Sequence, residues 1–252
     1  IKACKNKRNL GHVENWNRCI ELSGGKYIVI LNSDDLLDSG SVEKQVRVME
    51  SNPTVGFVHG STHIIDKNGR RLSESCISPE DQIVAGAEKL NQLLEGNHVM
   101  MPSVMVRKEC YENLGVFDNE LAFSADWHMW LRICMKYDAA YITDFIASYR
   151  AHGKTLSSSY DSQKIAALDQ YRMLNKIFGM IDSRSLAISK NHFYFILARE
   201  QLVKSLAMTI NGNPPHARKH VIASILIHNS VSLMVLFPFF LRSYFRGSES
   251  AL

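Results

Sequence analysis

The sequence predicts an α/β fold, a sheet with helices on both faces, followed by a helical extension. Three observations lead there. Residues 27–31 are a short apolar, β-branched run between Gly24-Gly25 and a polar cluster, which reads as a strand buried on both faces of a parallel sheet. Residues 13–22 ahead of it have helical spacing, so the order is helix, tight turn, strand, acidic loop, the second half of a βαβ unit. From residue 161 onward the apolar spacing is helical throughout.

Taken in order, Arg8-Asn9-Leu10-Gly11 is turn-like, and Val13, Trp16, Cys19 or Ile20, and Leu22 follow a helical period. Ser23-Gly24-Gly25 supplies the glycine expected past a helix C-terminus. After the strand comes Asn32-Ser33-Asp34-Asp35. Adjacent carboxylates repel and raise one another's pKa, a cost that a divalent cation or a ring of donors removes. Ligands of open α/β sheets bind beyond the carboxyl ends of strands, so the position suits a metal–phosphate site. The same residues also suit a helix cap with an acid in its first turn.

Gly40 or Ser41 opens a helix with Val42, Val46 and Met49 on one face, closed by Asn52-Pro53. A strand over residues 55–65 runs into Asp66-Lys67-Asn68-Gly69, a hairpin turn. His59, Ser61 and His63 share a strand face, as a metal pair or as structural histidines. Residues 72–86 read as a polar surface loop, 88–94 as a short helix, 104–106 as a strand, and 108–114 as a helix ending at Gly115. A further helix opens near Ser124 or Ala125 and buries Trp127, Trp130, Leu131 and Cys134, with Asp126 in its first turn. Residues 141–149 form a strand, and helices follow around 165–178, 192–207 and 217–227.

Composition sets the outer bounds. The 252 residues, 46% hydrophobic and 21% charged, suffice for one α/β domain with a helical extension. A net charge of +4 without a basic cluster argues against nucleic acid as a partner. The five cysteines, Cys4, Cys19, Cys76, Cys110 and Cys134, show no metal-ligand spacing and read as reduced thiols of a cytoplasmic protein. Residues 221–241 lack charge and are long enough to span a membrane, but His228-Asn229-Ser230, Ser232 and Pro238 interrupt them. The segment therefore reads as an interfacial or packed helix, with peripheral association at the inner face of a membrane as the expectation.

Asn9-Leu10-Gly11, Asn15-Trp16-Asn17, Gly25-Lys26-Tyr27-Ile28 and Ser33-Asp34-Asp35, in this order and spacing, resemble the family 2 glycosyltransferases of GT-A fold. The resemblance implies a Rossmann-like mixed sheet for nucleotide-diphospho-sugar transfer. Its span is residues 1–157, with 158–252 as a C-terminal helical region. The family's motif at the strand end is Asp-x-Asp or Asp-x-Asp-Asp, and Asn32 departs from it at the first position. Carried over, Asn9, Asp34, Asp35 and Arg150 contact the nucleotide-sugar. Asp35, with His152 as a further ligand, holds Mg²⁺ or Mn²⁺, hard cations suited to carboxylates plus phosphates.

The stretch Ala125-Asp126-Trp127-His128-Met129-Trp130-Leu131 matches the family's acidic motif, making Asp126 the general base of an inverting transfer. Trp127 and His98 then stand at the acceptor, a glycan or lipid-linked hydroxyl. Tyr149-Arg150-Ala151-His152 resembles the family's segment that closes over the nucleotide, where Lys154 also suits a phosphate. The family opens with a strand and an Asp-bearing loop that holds the nucleobase, both upstream of Ile1. The chain as given is thus expected to be N-terminally incomplete, to bind nucleotide poorly, and to be open to being inactive. A non-catalytic nucleotide- or carbohydrate-binding relic and a nucleotidyltransferase are the alternatives.

Overall fold

The computed structural model describes residues 2–151, 165–181, 191–199 and 201. The chain divides into two units, Ile1–Ser158 and Ser159–Leu252. The first unit begins α1 (His12–Leu22), β1 (Tyr27–Val29), β2 (Leu36–Leu37), α2 (Ser41–Ser51), β3 (Val55–Ile65), β4 (Arg71–Ser75) and β5 (Gln82–Val84). It continues α3 (Gly86–Glu95), a 3₁₀ turn (Met101–Ser103), β6 (Met105–Arg107), α4 (Lys108–Leu114), α5 (Ala125–Cys134) and β7 (Asp138–Arg150).

The sheet is mixed and seven-stranded, in the order β1-β6-β3-β7-β2, with β4 on β3 and β5 on β7. Its spine is the parallel pair β3 and β7, long apolar strands whose register shifts around Gly60 and Ser61. The other pairings, β1 with β6, β6 with β3, β4 with β3, and β5 and β2 with β7, are antiparallel. Successive strand residues face opposite sides, and β3 shows both layers. Phe57 packs on Trp130 of α5, ring centroids 5.4 Å apart, while Val58 joins Met49 of α2, Met105 and Ile146.

Several elements differ from the sequence reading for physical reasons. The run at residues 27–31 forms a three-residue strand, half-buried on two of its positions and antiparallel to its neighbour. Leu31 is 43% exposed. Apolar content marks burial but carries no strand direction. Residues 72–86 are not a plain loop, because β4 and β5 form there with largely exposed side chains. In α2 the buried positions are Ser41, Gln45 and Met49, and Val42 faces solvent. Gln45 is fully buried because its amide donates to the Ser103 carbonyl at 2.7 Å. α1 ends without a left-handed glycine. Ser23 caps it, its hydroxyl donating to the Cys19 carbonyl at 2.7 Å.

Arg107 locks the end of α2 to the sheet. It is buried, and it donates to the carbonyls of Val55, Met49 and Asn52 at 3.1, 3.0 and 3.3 Å. Met49 and Asn52 stand at the helix C-terminus, where carbonyls lack intrahelical partners. Cys110 and Cys134 are buried free thiols, each pushed up to about 12 by burial, so they stay protonated.

The second unit contains α6 (Ile165–Met180) and a helix over residues 191–199. They meet through Tyr171 and Tyr194, Phe178 and Phe193, and a Tyr194 hydroxyl bond to Asn175 Oδ1 at 2.7 Å. The expected helix at 217–227 and the apolar segment 221–241 lie outside the described residues. Among the described residues no helix is long and apolar enough to cross a membrane.

Candidate functional site

The acidic loop between β1 and β2 is held by a turn of its own and by two elements, α1 and β7. Its Asp35 N–H turns back onto the Asn32 carbonyl at 3.2 Å. From α1, the Trp16 indole N–H donates to Asn32 Oδ1 at 3.1 Å, and that fixes the amide so that Nδ2 donates to Asp35 Oδ2 at 3.2 Å. From β7, the Arg150 backbone N–H donates to Asp35 Oδ1 at 2.9 Å. Asp35 is thus 5% exposed with both carboxylate oxygens engaged. Burial raises its pKa, the Arg150 N–H and Asn32 amide oppose that shift, and the neighbouring Asp34 charge adds to it. Asp34 beside it is only partly buried.

The Arg150 guanidinium also works on backbone. Nε donates to the Asp34 carbonyl at 2.7 Å and Nη1 to the Asp66 carbonyl at 2.9 Å. Asp66 opens the β3–β4 turn, where its Oδ1 takes the N–H groups of Asn68 and Arg70 at 2.8 and 2.9 Å. Gly69 there sits at φ 86°, a conformation glycine adopts without a Cβ penalty. Arg150, expected at the nucleotide-sugar, is therefore a clamp joining the acidic loop to this turn.

Asn9, also expected at the nucleotide-sugar, is exposed and accepts the Gly11 N–H through Oδ1 at 2.9 Å, shaping the entry to α1. Asn17 of α1 pairs with both backbone groups of Phe117, at 2.9 Å each. His12, one turn before Trp16, bonds the Ala122 carbonyl at 2.7 Å, just ahead of α5. One helix therefore anchors the acidic loop and the approach to α5.

At the start of α5, Asp126 Oδ1 accepts the Trp127 N–H at 2.7 Å, one of the first-turn donors that no helix carbonyl reaches. Asn97 Nδ2 lies 3.4 Å from Asp126 Oδ2. Trp127 and His98, expected at the acceptor, both have side chains bonded within the protein. Trp127 is 9% exposed and its indole donates to the Leu93 carbonyl at 2.7 Å, a core position. His98 has both ring nitrogens engaged, Nε2 with Lys89 Nζ at 2.9 Å and Nδ1 with the Gly96 carbonyl at 3.2 Å. Burial, then the Lys89 charge, lowers its pKa to about 4, so the ring is neutral.

His152 and Lys154 lie outside the described residues. His59 and His63 form no metal pair. His59 meets Lys89 Nζ at 3.3 Å, and His63 stacks on Phe145 at 3.8 Å and faces Glu74 at 3.5 Å. Among the described residues no group of three or more His, Cys, Asp or Glu is arranged to hold a metal.

The sequence reading took Asn32 only as a departure from the motif, because its link between Trp16 of α1 and Asp35 forms only in the folded loop. An aspartate at position 32 would still accept from Trp16, yet it would set a second acceptor against the buried Asp35. Asn32→Asp is expected to destabilise the protein by about 1–3 kcal/mol near neutral pH. The pair's folded-state pKa would be raised, so stability is present at acid pH and lost as pH rises through that value. Denaturant melts at about pH 5 and about pH 7.5 check this; an equal loss at both would exclude charge repulsion as the cause.

Residues 1–115 match the family model described as glycosyl transferase family 2. An uncharacterized glycosyltransferase of Methanocaldococcus jannaschii is 32% identical over 147 residues, 58% of this chain and 49% of that protein. One from Haemophilus influenzae is 24% identical over 223 residues, 82% of this chain and 67% of that protein. Residues 1–349 of S. aureus TarS, solved in complex with UDP-GlcNAc, superpose with TM-score 0.58 at 13% identity, over 84% of this chain and 60% of that one. That likeness concerns the GT-A fold. The chain spans about half the length of the archaeal relative.

Proposed function

We propose that the chain, whose residues 1–115 match the model of glycosyl transferase family 2, serves transfer of a sugar from a nucleotide-diphosphate donor to a hydroxyl of a glycan or lipid-linked acceptor, with inversion. The observation that carries this reading is α1. Its Trp16 grips the acidic loop and its His12 grips the segment before α5, so the two carboxylates the reaction needs hang from one support.

Asp126 is the general base. It takes the acceptor proton as the oxygen attacks the anomeric carbon, and a single carboxylate in hydrogen-bonding reach suffices for one displacement. Asp34, only partly buried, faces the donor, and Asp35 accepts one bond at each oxygen, from Asn32 and Arg150, keeping lone pairs for a cation. A carboxylate plus substrate phosphates is a donor set that fits Mg²⁺ or Mn²⁺. When bound there, such a cation would offset charge on the departing nucleoside diphosphate. Arg150 and Asn32 restrain Asp34 by fixing its backbone and its neighbour.

The test is product analysis with a panel of UDP- and GDP-sugars, with and without added Mn²⁺. Release of nucleoside diphosphate that EDTA abolishes and Mn²⁺ restores is the expected result. Pyrophosphate release would indicate a nucleotidyltransferase. Nucleotide-sugar binding with no turnover by any sugar would indicate the relic.

A further inference from the structure

Lys89 of α3 is 2% exposed, and its ammonium is pinched between two imidazoles, His59 Nε2 of β3 at 3.3 Å and His98 Nε2 at 2.9 Å. Neither partner carries negative charge. The other titratable groups around it are Cys134 of α5, a buried thiol that stays neutral, Tyr141 of β7 beside His59, and Asp138 of β7, whose carboxylate takes the Gly86 N–H at the start of α3. Glu88 neighbours it on its own helix. Burying a cation without a carboxylate is costly, and an apolar side chain of the same volume is commonly as stable or more so. Its benefit therefore lies in what Nζ holds.

What it holds leads to the candidate base. Accepting from Lys89 at Nε2 leaves His98 with its proton on Nδ1, donated to Gly96. The ring is thereby fixed at both ends, and with it the loop that carries Asn97. Asn97 Oδ1 takes the Val99 N–H at 3.2 Å, and that turns its amide nitrogen toward Asp126 at 3.4 Å. We propose that Lys89 is a positioning residue for Asp126, acting through His98 and Asn97. The inference rests on Asp126 being the base.

Burial lowers Lys89 to about 8, so the lysine titrates within an accessible range. Below that value the ammonium donates to both rings. Above it the neutral amine can accept from His59 Nε2–H while still donating to His98. His59 Nδ1, buried without a protein partner, then carries no proton, the cheaper state for an orphaned nitrogen.

The experiment uses the full chain, wild type and Lys89→Met, with Lys89→Arg as the charge-keeping variant. In ¹⁵N spectra the Asn97 side-chain amide signals shift with pH around a midpoint of about 8 in the wild type and stay flat in Lys89→Met. Hydrolysis of UDP-GlcNAc by Lys89→Met shows kcat lowered by roughly tenfold or more with KM unchanged, partly rescued in Lys89→Arg. The melting temperature of Lys89→Met at about pH 7 is equal to or above wild type. Between pH values of about 8 and about 10.5 the wild type gains on it, because the unfolded chain binds the extra proton there. A lysine with a merely structural role gives the reverse, a lower melting temperature with kcat intact, and that result or pH-independent Asn97 signals in the wild type overturns the proposal. Absence of wild-type turnover with every sugar of the UDP and GDP panel would count against the transferase reading, whereas pH-independent Asn97 signals would break the Lys89–His98–Asn97 link whatever the donor.

Discussion

With Asp126 as the proposed base, Asp126→Asn is expected to lower sugar transfer by about 10²–10⁴-fold while the protein stays folded. The substitution keeps the shape of the side chain and an oxygen for the Trp127 N–H, the local bond that seats residue 126 at the start of α5. What goes is the ability to accept a proton from the attacking hydroxyl. A negative charge in the first turn also favours the helix by about 0.3–1 kcal/mol, so only a small drop in melting temperature accompanies the loss. Donor affinity, set by the acidic loop, should hold. Steady-state kinetics with nucleoside-diphosphate titrations separate the two quantities. Turnover equal to wild type would remove Asp126 from the chemistry.

Arg150→Met is expected to act from the other side of the site. The guanidinium joins the Asp34 and Asp66 carbonyls, and bonds from a charged donor contribute about 1.5–3 kcal/mol each. Discounting for partial exposure, a loss of about 2–3 kcal/mol in denaturant melts is expected. The Arg150 backbone bond to Asp35 survives the change, so Asp35 stays seated while Asp34 loses its restraint. Displacing a donor-facing carboxylate by about an ångström costs roughly 10²-fold in kcat/KM. Arg150→Lys should recover little of this, since an ammonium cannot reproduce the planar fork that spans two carbonyls. Full activity in Arg150→Met would mean that Asp34 needs no such clamp.

How much of this the sequence carried depended on how local the cause was. β3 at Val55–Ile65 and α4 at Lys108–Leu114 fall where apolar period and flanking turn residues put them. The Asp66–Gly69 turn forms because Asn68-Gly69 supplies both the side-chain chemistry and the positive φ. The motif residues drew the reading to the acidic loop and the start of α5, which the structure ties to one helix, α1. Roles within them were less legible. Asp34 and Asp35 are neighbours of identical type, and only the arrival of Arg150 from β7 and Asn32 from across the turn divides their duties. Trp127 sits beside Asp126 in the motif, yet helical geometry turns its ring into the core toward Leu93. A lysine at position 89 reads as one more solvated side chain of an amphipathic helix. The imidazoles that enclose it come from residue 59 on a strand and residue 98 in a loop.

α1 grips both distant segments from residues four positions apart, Trp16 for one and His12 for the other. A short rod attached at both ends of a gap acts as a gauge. When it rocks, the two attachment points travel together and the gap between them keeps its width. Thermal fluctuations of the Asn32 and Ala122 backbones should therefore be correlated rather than independent, and paired spin labels flanking α1 would report a narrow distance distribution even where each segment alone is mobile.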